Sequence, residues 1–245
     1  TAGTYNVTVG NGTPIVNSNS LSFDGQDDYV DIPMSLLNGY SDFSFIGYFK
    51  TNNQYSGVNE TIFSMNDGGN SGGQPYNFAH FDIGVGNNQI FISYGENSNT
   101  DYYYGNNCED NEWHSIAISL NNQNIMLVYL DGVIVGQQQL AINFSNLALY
   151  SIGQEWDPGP LPSEFFIGNL DNISIWNTAL TQSEIQSYMS SSPSGNEAGL
   201  VGYWNFNEGS GSTVTDLSGN GNNGTINGAS WSTDAPAQYA NNCTA

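Results

Sequence analysis

The chain has 245 residues, of which 23 are acidic and one, Lys50, is basic, so its formal net charge at pH 7 is -22. This charge excludes nucleic-acid binding, because phosphates are contacted mainly through Lys and Arg. It also disfavours anionic membranes and sulfated or uronate-rich glycans unless divalent cations bridge the charges. The acidity itself has two open explanations: it keeps the protein soluble in a salty medium, or it binds cations.

Short segments of alternating apolar and polar residues, separated by Gly, Asn and Asp turns, recur along the chain and predict β-strands. In chain order they are SLSFDG, DYVDIP, DFSFIGYFKT, TIFSMN, NFAHFDIGV, QIFISYGE, WHSIAISL, IMLVYLDGVIVGQQQL and FFIGNLDNISIWN. Asp131-Gly132, between two apolar runs, predicts a two-residue hairpin turn. The number and spacing of the strands predict an all-β fold in which two antiparallel sheets pack as a jelly-roll sandwich.

One short helix is predicted over residues 181–190, TQSEIQSYMS. Thr181 and Glu184 have the spacing of a capping box, and Ile185, Tyr188 and Met189 share one face. The sequence contains no run of 18 apolar residues, so no membrane-spanning helix is predicted.

Five segments resemble parts of the concanavalin A-like, laminin G-like jelly-roll domains of secreted proteins, especially the large surface proteins of marine bacteria. The segments are 20–33, 43–51, 112–135, 167–185 and 199–225. The resemblance extends from about residue 20 to residue 233 and implies the fold and an extracellular or cell-surface location. It does not choose a function, because this fold serves lectins, adhesins, binding modules and enzymes.

The resemblance divides the chain into an N-terminal lead-in or linker strand (1–19), a jelly-roll domain (20–235) and a tail (236–245). In relatives the GLVGYW segment often precedes the LSFDG strand, whereas here it follows the helix. Either 199–233 folds back to complete the same sandwich, or it opens a second, truncated domain. Fold-back is favoured, because so short a segment cannot bury a core of its own.

The chain has two cysteines, Cys108 and Cys243. In an Asn-rich, lysine-poor chain of extracellular character they suggest a disulfide that ties the C-terminal tail to a loop. Two free thiols, or pairing of Cys243 outside this sequence, are the alternatives.

A first candidate calcium site lies in DLSGNGNNGT, where oxygen-bearing side chains alternate with glycines. Asp216, Asn220 and Asn222 could converge on a hard cation such as Ca²⁺. The bidentate Glu of a complete calcium loop is absent, since Asn227 stands at its position. A plain Asn-Gly turn explains the same residues equally well.

A second candidate calcium site combines Asp24 and Asp171. The strand that contains Asp171 resembles the closing strand of jelly-roll glucanases, in which a matching Asp and the N-terminal strand hold a structural calcium ion. The resemblance therefore implies Ca²⁺ between these carboxylates, with Asp27 or Asp28 as a further ligand. The alternative is that each carboxylate caps a turn.

Aromatic residues lie in or beside three Gly- or Pro-rich segments, 72–82, 100–107 and 153–162. Aromatic rings stack on the apolar faces of sugars, and Asp, Asn and Gln side chains bind sugar hydroxyls. We therefore predict a glycan site formed by Tyr76, His80, Tyr102, Tyr104, Trp156 and Asp157. Other aromatic residues are predicted to fill the core: Phe45, Phe91, Trp113, Trp176 and Trp204.

The sequence does not favour catalysis. It lacks the Glu-x-Asp-x-x-Glu cluster of jelly-roll laminarinases and the arginine that jelly-roll polysaccharide lyases use against a uronate carboxylate. The one acid-base candidate is the pair His80 and Asp82, which share a strand face.

Together these features predict an extracellular carbohydrate-binding or adhesion module, calcium-stabilised, that captures a glycan or a cell-surface partner. The first alternative is a structural repeat or tip unit of a filamentous surface protein that contacts copies of itself. A polysaccharide-degrading enzyme is the third hypothesis.

Overall fold

The computed structural model describes residues 17–33, 37, 39–52, 59–67, 79–96, 100–140, 142, 147–157 and 161–237. Within them lie 18 strands and one helix. In chain order they are β1 (Ser20–Asp24), β2 (Tyr29–Ile32), β3 (Phe43–Lys50), β4 (Asn59–Asn66), β5 (Ala79–Gly86), β6 (Gln89–Glu96), β7 (Thr100–Tyr104), β8 (His114–Leu120), β9 (Ile125–Leu130), β10 (Val133–Gln139), β11 (Leu149–Ile152), β12 (Glu155–Asp157), β13 (Leu161–Ser163), β14 (Ile167–Trp176), α1 (Gln182–Ser190), β15 (Leu200–Trp204), β16 (Thr213–Val214), β17 (Gly224–Asn227) and β18 (Ser230–Ser232).

Two eight-stranded antiparallel sheets form the predicted jelly-roll sandwich. The first, here called the helix sheet, has the strand order β10-β9-β8-β3-β14-β1-β18, and β15 pairs with the far end of β14. The second, here called the hairpin sheet, has the order β16-β17-β2-β11-β4-β5-β6-β7. The short hairpin β12–β13 forms a separate two-stranded sheet.

The core between the two sheets is built by period-two alternation, which turns every second side chain of a strand inward. Phe43, Phe45 and Phe49 of β3 are fully buried in this way. The ring of Phe45 stacks on that of Phe63 in β4, with centroids 5.4 Å apart, so the contact joins the helix sheet to the hairpin sheet.

Helix α1 confirms the predicted helix and covers the outer face of the helix sheet. Thr181 is the N-cap, and its side chain and that of Glu184 form the expected capping box. Ile185 is fully buried, and the rings of Tyr188 and Trp176 lie 4.6 Å apart. The helix thereby closes a second, smaller apolar cluster outside the main core.

The predicted hairpin turn at Asp131-Gly132 is also confirmed. Both residues have positive φ, 50° and 72°. This is the backbone that a two-residue hairpin turn requires, and Gly and Asp tolerate it.

The segment that begins at Gly199 adds strands to both sheets. β15 pairs with β14 and β18 pairs with β1 in the helix sheet, whereas β17 pairs with β2 in the hairpin sheet. Trp204 of β15 is fully buried, and its indole Nε1 donates to the Asn222 carbonyl oxygen at 2.9 Å.

Three of the aromatic residues predicted to fill the core lie outside the core between the two sheets. Trp113 is only half-buried, and its Nε1 donates to Asp234 at 2.9 Å. Trp176 is fully buried, but under α1 rather than between the sheets. Phe91 is fully buried on the outer face of the hairpin sheet, against Tyr103.

Replacing Trp204 tests whether the C-terminal segment is part of the sandwich. Trp204→Ala removes a fully buried ring and should lower the free energy of unfolding by about 3–5 kcal/mol. Urea denaturation followed by fluorescence and by circular dichroism measures the loss. The control Trp231→Ala removes a half-buried ring and should cost less. A separate early transition confined to the C-terminal segment would contradict the expectation.

Candidate functional site

A row of hydroxyl and carboxylate side chains crosses the outer face of the hairpin sheet. Cross-strand partners point to the same face, so the strand register aligns them. From one edge to the other the row is Thr225, Asp31, Ser151, Ser64, Asp82, Ser93 and Asp101. We call it the polar row; it spans about 29 Å at the usual strand spacing. Its ends are exposed and its centre is buried.

The hairpin β12–β13 covers the sheet next to the centre of the row. The Trp156 carbonyl oxygen accepts a hydrogen bond from Nδ2 of Asn66 at 2.7 Å. The Trp156 ring meets Tyr29 edge to face, with centroids 5.9 Å apart. Just after the hairpin, the Glu164 carbonyl oxygen accepts from the Thr61 backbone N–H at 2.8 Å. The hairpin is therefore fixed at both its start and its end.

Two carboxyl groups meet beneath this hairpin. Asp82 of β5 and Glu155 of β12 lie within hydrogen-bonding reach of each other. Burial, reinforced by the nearby Glu155 charge, raises the pKa of Asp82 well above its usual range. Burial also raises the pKa of Glu155, and that of Glu164 to about 8. At neutral pH Glu164 therefore keeps its proton for most of the time, and burial favours the protonated forms of Asp82 and Glu155.

His80 lies beside this pair. Its Nε2 is 3.8 Å from Asp82 Oδ2 and 3.2 Å from the Ser93 hydroxyl. Burial lowers the pKa of His80 to about 4, although the surrounding carboxylates oppose this shift. The imidazole is consequently neutral near pH 7 and supplies no positive charge to the site.

The three consecutive tyrosines of β7 divide between the two faces of the sheet. Tyr102 and Tyr104, which we predicted to bind a ligand, are half-buried against the core. Tyr103, between them, is 38% exposed and lies on the face of Asp101. Alternation predicts that Tyr103 lies on the opposite face of the strand from Tyr102 and Tyr104. It does not predict which of the two faces is exposed. Tyr76, the remaining predicted tyrosine, lies outside the described residues.

Several buried polar atoms around the hairpin have no hydrogen-bond partner among the described residues. They are Oδ1 of Asp82, Nε1 of Trp156 and both amide atoms of Gln154. A buried donor or acceptor without a partner is costly, and such groups usually bind water or a ligand. Asp157, the last residue of β12, is exposed at the border of this region.

The structure does not bring Asp24 and Asp171 together. Asp24 pairs with Ile167, four residues before Asp171 on β14, which corresponds to about 13 Å along the strand. Ligand atoms of Asp24, Asp27 and Asp28 instead lie within 4.8 Å of one another. The predicted two-carboxylate site is therefore wrong in its partners.

Asp171 meets a residue of the N-terminal segment instead. Its side chain is completely buried and accepts hydrogen bonds from the side chain of Asn17 and from the Asn172 backbone N–H. Burial raises the pKa of Asp171 to about 8, and these hydrogen bonds only partly offset the effect. Oδ1 of Asn17 is buried without a partner among the described residues.

The Asp216 turn is held together by its own hydrogen bonds. Asp216 accepts from the backbone N–H groups of Tyr203, Ser218 and Asn222 at 2.8 to 3.0 Å. Asn220 and Asn222 donate their side-chain amides to the Val201 carbonyl oxygen. Since backbone donors already occupy the carboxylate, this geometry favours the turn over the cation site.

Cys108 is fully buried in the core, and burial raises the pKa of its thiol to about 12. Cys243 lies outside the described residues, so the disulfide between them stays a prediction.

A family model for the concanavalin A-like lectin/glucanases superfamily matches residues 24–186. No curated protein sequence matches the chain. Within the described residues, none of the helices has the length and apolar character needed to cross a membrane.

Several solved structures share the fold. A protein from Bacteroides ovatus, described as a candidate carbohydrate-binding protein, has 17% identity and a TM-score of 0.65 over 91% of this chain, which spans 62% of that protein's length. A SAP-like pentraxin from Limulus polyphemus has 15% identity and a TM-score of 0.57, covering 86% of this chain and 94% of its own. The CBM40 module of a Ruminococcus gnavus sialidase has 10% identity and a TM-score of 0.54, covering 70% and 98%.

The buried carboxyl pair predicts that stability falls as pH rises. The raised pKa of Asp82 means that the native state holds a proton that the unfolded chain releases, so its contribution is complete below the unfolded pKa and is lost as the pH rises through the folded pKa. Since burial also raises the pKa of the neighbouring Glu164 to about 8, we expect the melting temperature to fall between about pH 5 and about pH 8, and Asp82→Asn to reduce that fall. Calorimetry across this range measures both. The control Glu112→Gln changes an exposed carboxyl, and its melting temperature should depend on pH as that of the wild type does. The same dependence of melting temperature on pH in all three proteins would contradict the expectation.

Proposed function

The chain belongs to the concanavalin A-like lectin/glucanases superfamily, and we propose that it is an extracellular carbohydrate-binding module whose site is the outer face of the hairpin sheet. The superfamily fold alone does not decide this, because the same sandwich supports binding and catalysis. The proposal depends on the residues that the sheet presents.

The polar row is the observation that carries the proposal. Seven register-aligned positions hold only Ser, Thr and Asp, and the four at the centre are buried although they lie on the outer face of the sheet. Hydroxyls and carboxylates both bind sugar hydroxyls. The unpartnered buried donors and acceptors beside the row indicate a further demand for a polar ligand.

Two aromatic residues flank the row and supply the apolar contacts that a sugar ring needs. Tyr103 is exposed beside Asp101, and its ring is supported from below by Phe91. Trp156 is half-buried in the hairpin and braced by Tyr29. Both rings are held in place by neighbouring rings, which reduces the entropy lost on binding.

The similar folds favour binding rather than turnover. They include a candidate carbohydrate-binding protein and the CBM40 module of a sialidase. We therefore assign His80 and Asp82 to the architecture of the binding site.

Calcium fits best at Asp171 rather than at the Asp216 turn. Asp171 is a completely buried carboxylate whose hydrogen-bond partners are the amides of Asn17 and Asn172, and the unpartnered carbonyl oxygen of Asn17 lies in the same place. Carboxylate and carbonyl oxygens are the ligands that Ca²⁺ prefers. We infer that a calcium ion held by Asp171 and Asn17 would neutralise the carboxylate and fasten the N-terminal segment to β14.

Glycan binding is tested on an array of neutral, amino and acidic glycans with the fluorescently labelled protein. We expect binding to a subset of non-acidic glycans, with no release of reducing ends on incubation. Tyr103→Ala and Trp156→Ala should each weaken binding about tenfold or more, since stacked aromatics dominate such sites. The control Tyr40→Ala changes an exposed tyrosine outside the polar row and should bind normally. A correctly folded protein that binds no glycan would refute the proposal, and concentration-dependent self-association would then favour the structural alternative.

Calcium binding is tested by melting the protein in calcium and in chelator. A ligand that binds only the native state stabilises it by about 2.7 kcal/mol at a hundredfold excess over its Kd, so calcium should raise the melting temperature clearly. Asp171→Asn should abolish the rise, and the control Asp27→Asn should retain it. If Asp27→Asn alone abolishes it, the ion is bound by the Asp24, Asp27 and Asp28 cluster. Identical melts of the wild type in calcium and chelator would exclude a calcium site of useful affinity.

A further inference from the structure

We propose that the site beside the hairpin β12–β13 selects saccharides that carry protonated amino groups; the inference rests on the proposed carbohydrate-binding function and names its ligand class. The physical reason is that the site offers acidic acceptors and no positive charge. A sugar ammonium group supplies N–H donors to these acceptors. It also supplies the positive charge that the site lacks.

The acidic character of the site is unbalanced. The carboxyls that act on one another or on His80 in this region are Asp67, Asp82, Asp101, Glu155, Asp157 and Glu164. The one lysine of the chain, Lys50, pairs with Asp234 at 2.8 Å on the helix sheet. With His80 neutral near pH 7, the described part of the chain brings no cationic side chain to these carboxyls.

A second observation indicates a donor that comes from outside the protein. The side chain of Asp82 is only 2% exposed, and its Oδ1 has no hydrogen-bond partner among the described residues. It faces Glu155, so the pair either shares a proton or, when both groups ionise, needs a cation. An ammonium group held between β5 and the hairpin would donate to Oδ1 and neutralise the pair. A sugar hydroxyl would donate one hydrogen bond and leave the charge unchanged.

The exposed part of the site extends the same chemistry along the polar row. Asp101 lies two strands from Asp82 in the same row, a distance of about 10 Å. Next to it, Tyr103 presents an exposed ring, and aromatic rings attract cations as well as stack on sugars. Asp82 and Asp101 could therefore each meet an amine of one oligosaccharide. The carboxylate of an acidic sugar would be repelled by the same acidic groups, and no Arg or Lys of the site would pair with it.

The probes that test the inference are the glucosamine tetramer, its fully N-acetylated counterpart and sialyllactose, measured by isothermal titration calorimetry. At about pH 6 the glucosamine amines are protonated, and a bound ammonium group favours the ionised form of a neighbouring carboxyl. We expect the free-amine tetramer to bind about tenfold tighter than the N-acetylated one, as one charge-assisted hydrogen bond would give. We expect no binding of sialyllactose, and a weaker response to the amine tetramer as salt is added.

Two variants locate the effect. Asp101→Asn and Asp82→Asn should each weaken binding of the amine tetramer severalfold and weaken binding of the N-acetylated tetramer less, so that the preference for the amine falls. The control Glu112→Gln removes one exposed negative charge two residues before β8 and should have little effect. Equal losses in all three variants would show general charge attraction and overturn the assigned site.

The outcomes separate this inference from the proposed function. If the N-acetylated tetramer binds as tightly as the amine, the inference fails and carbohydrate binding stands. If the amine tetramer does not bind but other glycans on the array do, the inference likewise fails alone. If neither tetramer nor any arrayed glycan binds, both fail together.

Discussion

Period-two alternation in the hairpin sheet is the constraint on which both the core and the site depend. The same strands that turn Phe81 and Ile83 into the sandwich must turn His80 and Asp82 the other way. Once cross-strand pairing fixes the register, polar residues that are distant in sequence become a continuous row. A slip of one residue would exchange core and site together, so packing of the core also enforces the geometry of the polar row.

The unusual charge of the chain gives this row its chemistry. In a protein with ordinary numbers of Lys and Arg, a buried carboxylate is commonly paired with a cation. Here the described residues near Asp82, Glu155 and Asp171 provide amides, hydroxyls and other carboxyls. Each of these three carboxyls must therefore keep its proton or, when it ionises, be neutralised by a bound cation.

Local sequence signals predicted the local structures: Thr181 and Glu184 identified the helix, and Asp131-Gly132 identified the hairpin. Alternation also predicted the sandwich. Sequence could not predict what depends on register or on long-range docking. Nothing in the chain itself indicates that Tyr103 rather than Tyr102 faces outward, or that Asp171 contacts Asn17 and not Asp24. Glu155 and Glu164 were missed because they acquire their environment only when the hairpin β12–β13 docks on β4 and β5.

Stability and the proposed binding of a cationic ligand should respond to pH in opposite directions at this site. Protonation of Asp82, Glu155 and Glu164 removes their repulsion and favours the folded sandwich, as the raised pKa values require. Deprotonation costs stability but creates the negative charge that attracts an ammonium group. A bound cation would restore the stability that deprotonation removes, because a ligand that binds the native state stabilises it by mass action. In a chain nearly devoid of basic residues, the buried carboxyls thus depend on protons for neutralisation or, in the proposed function, on the charge of the ligand.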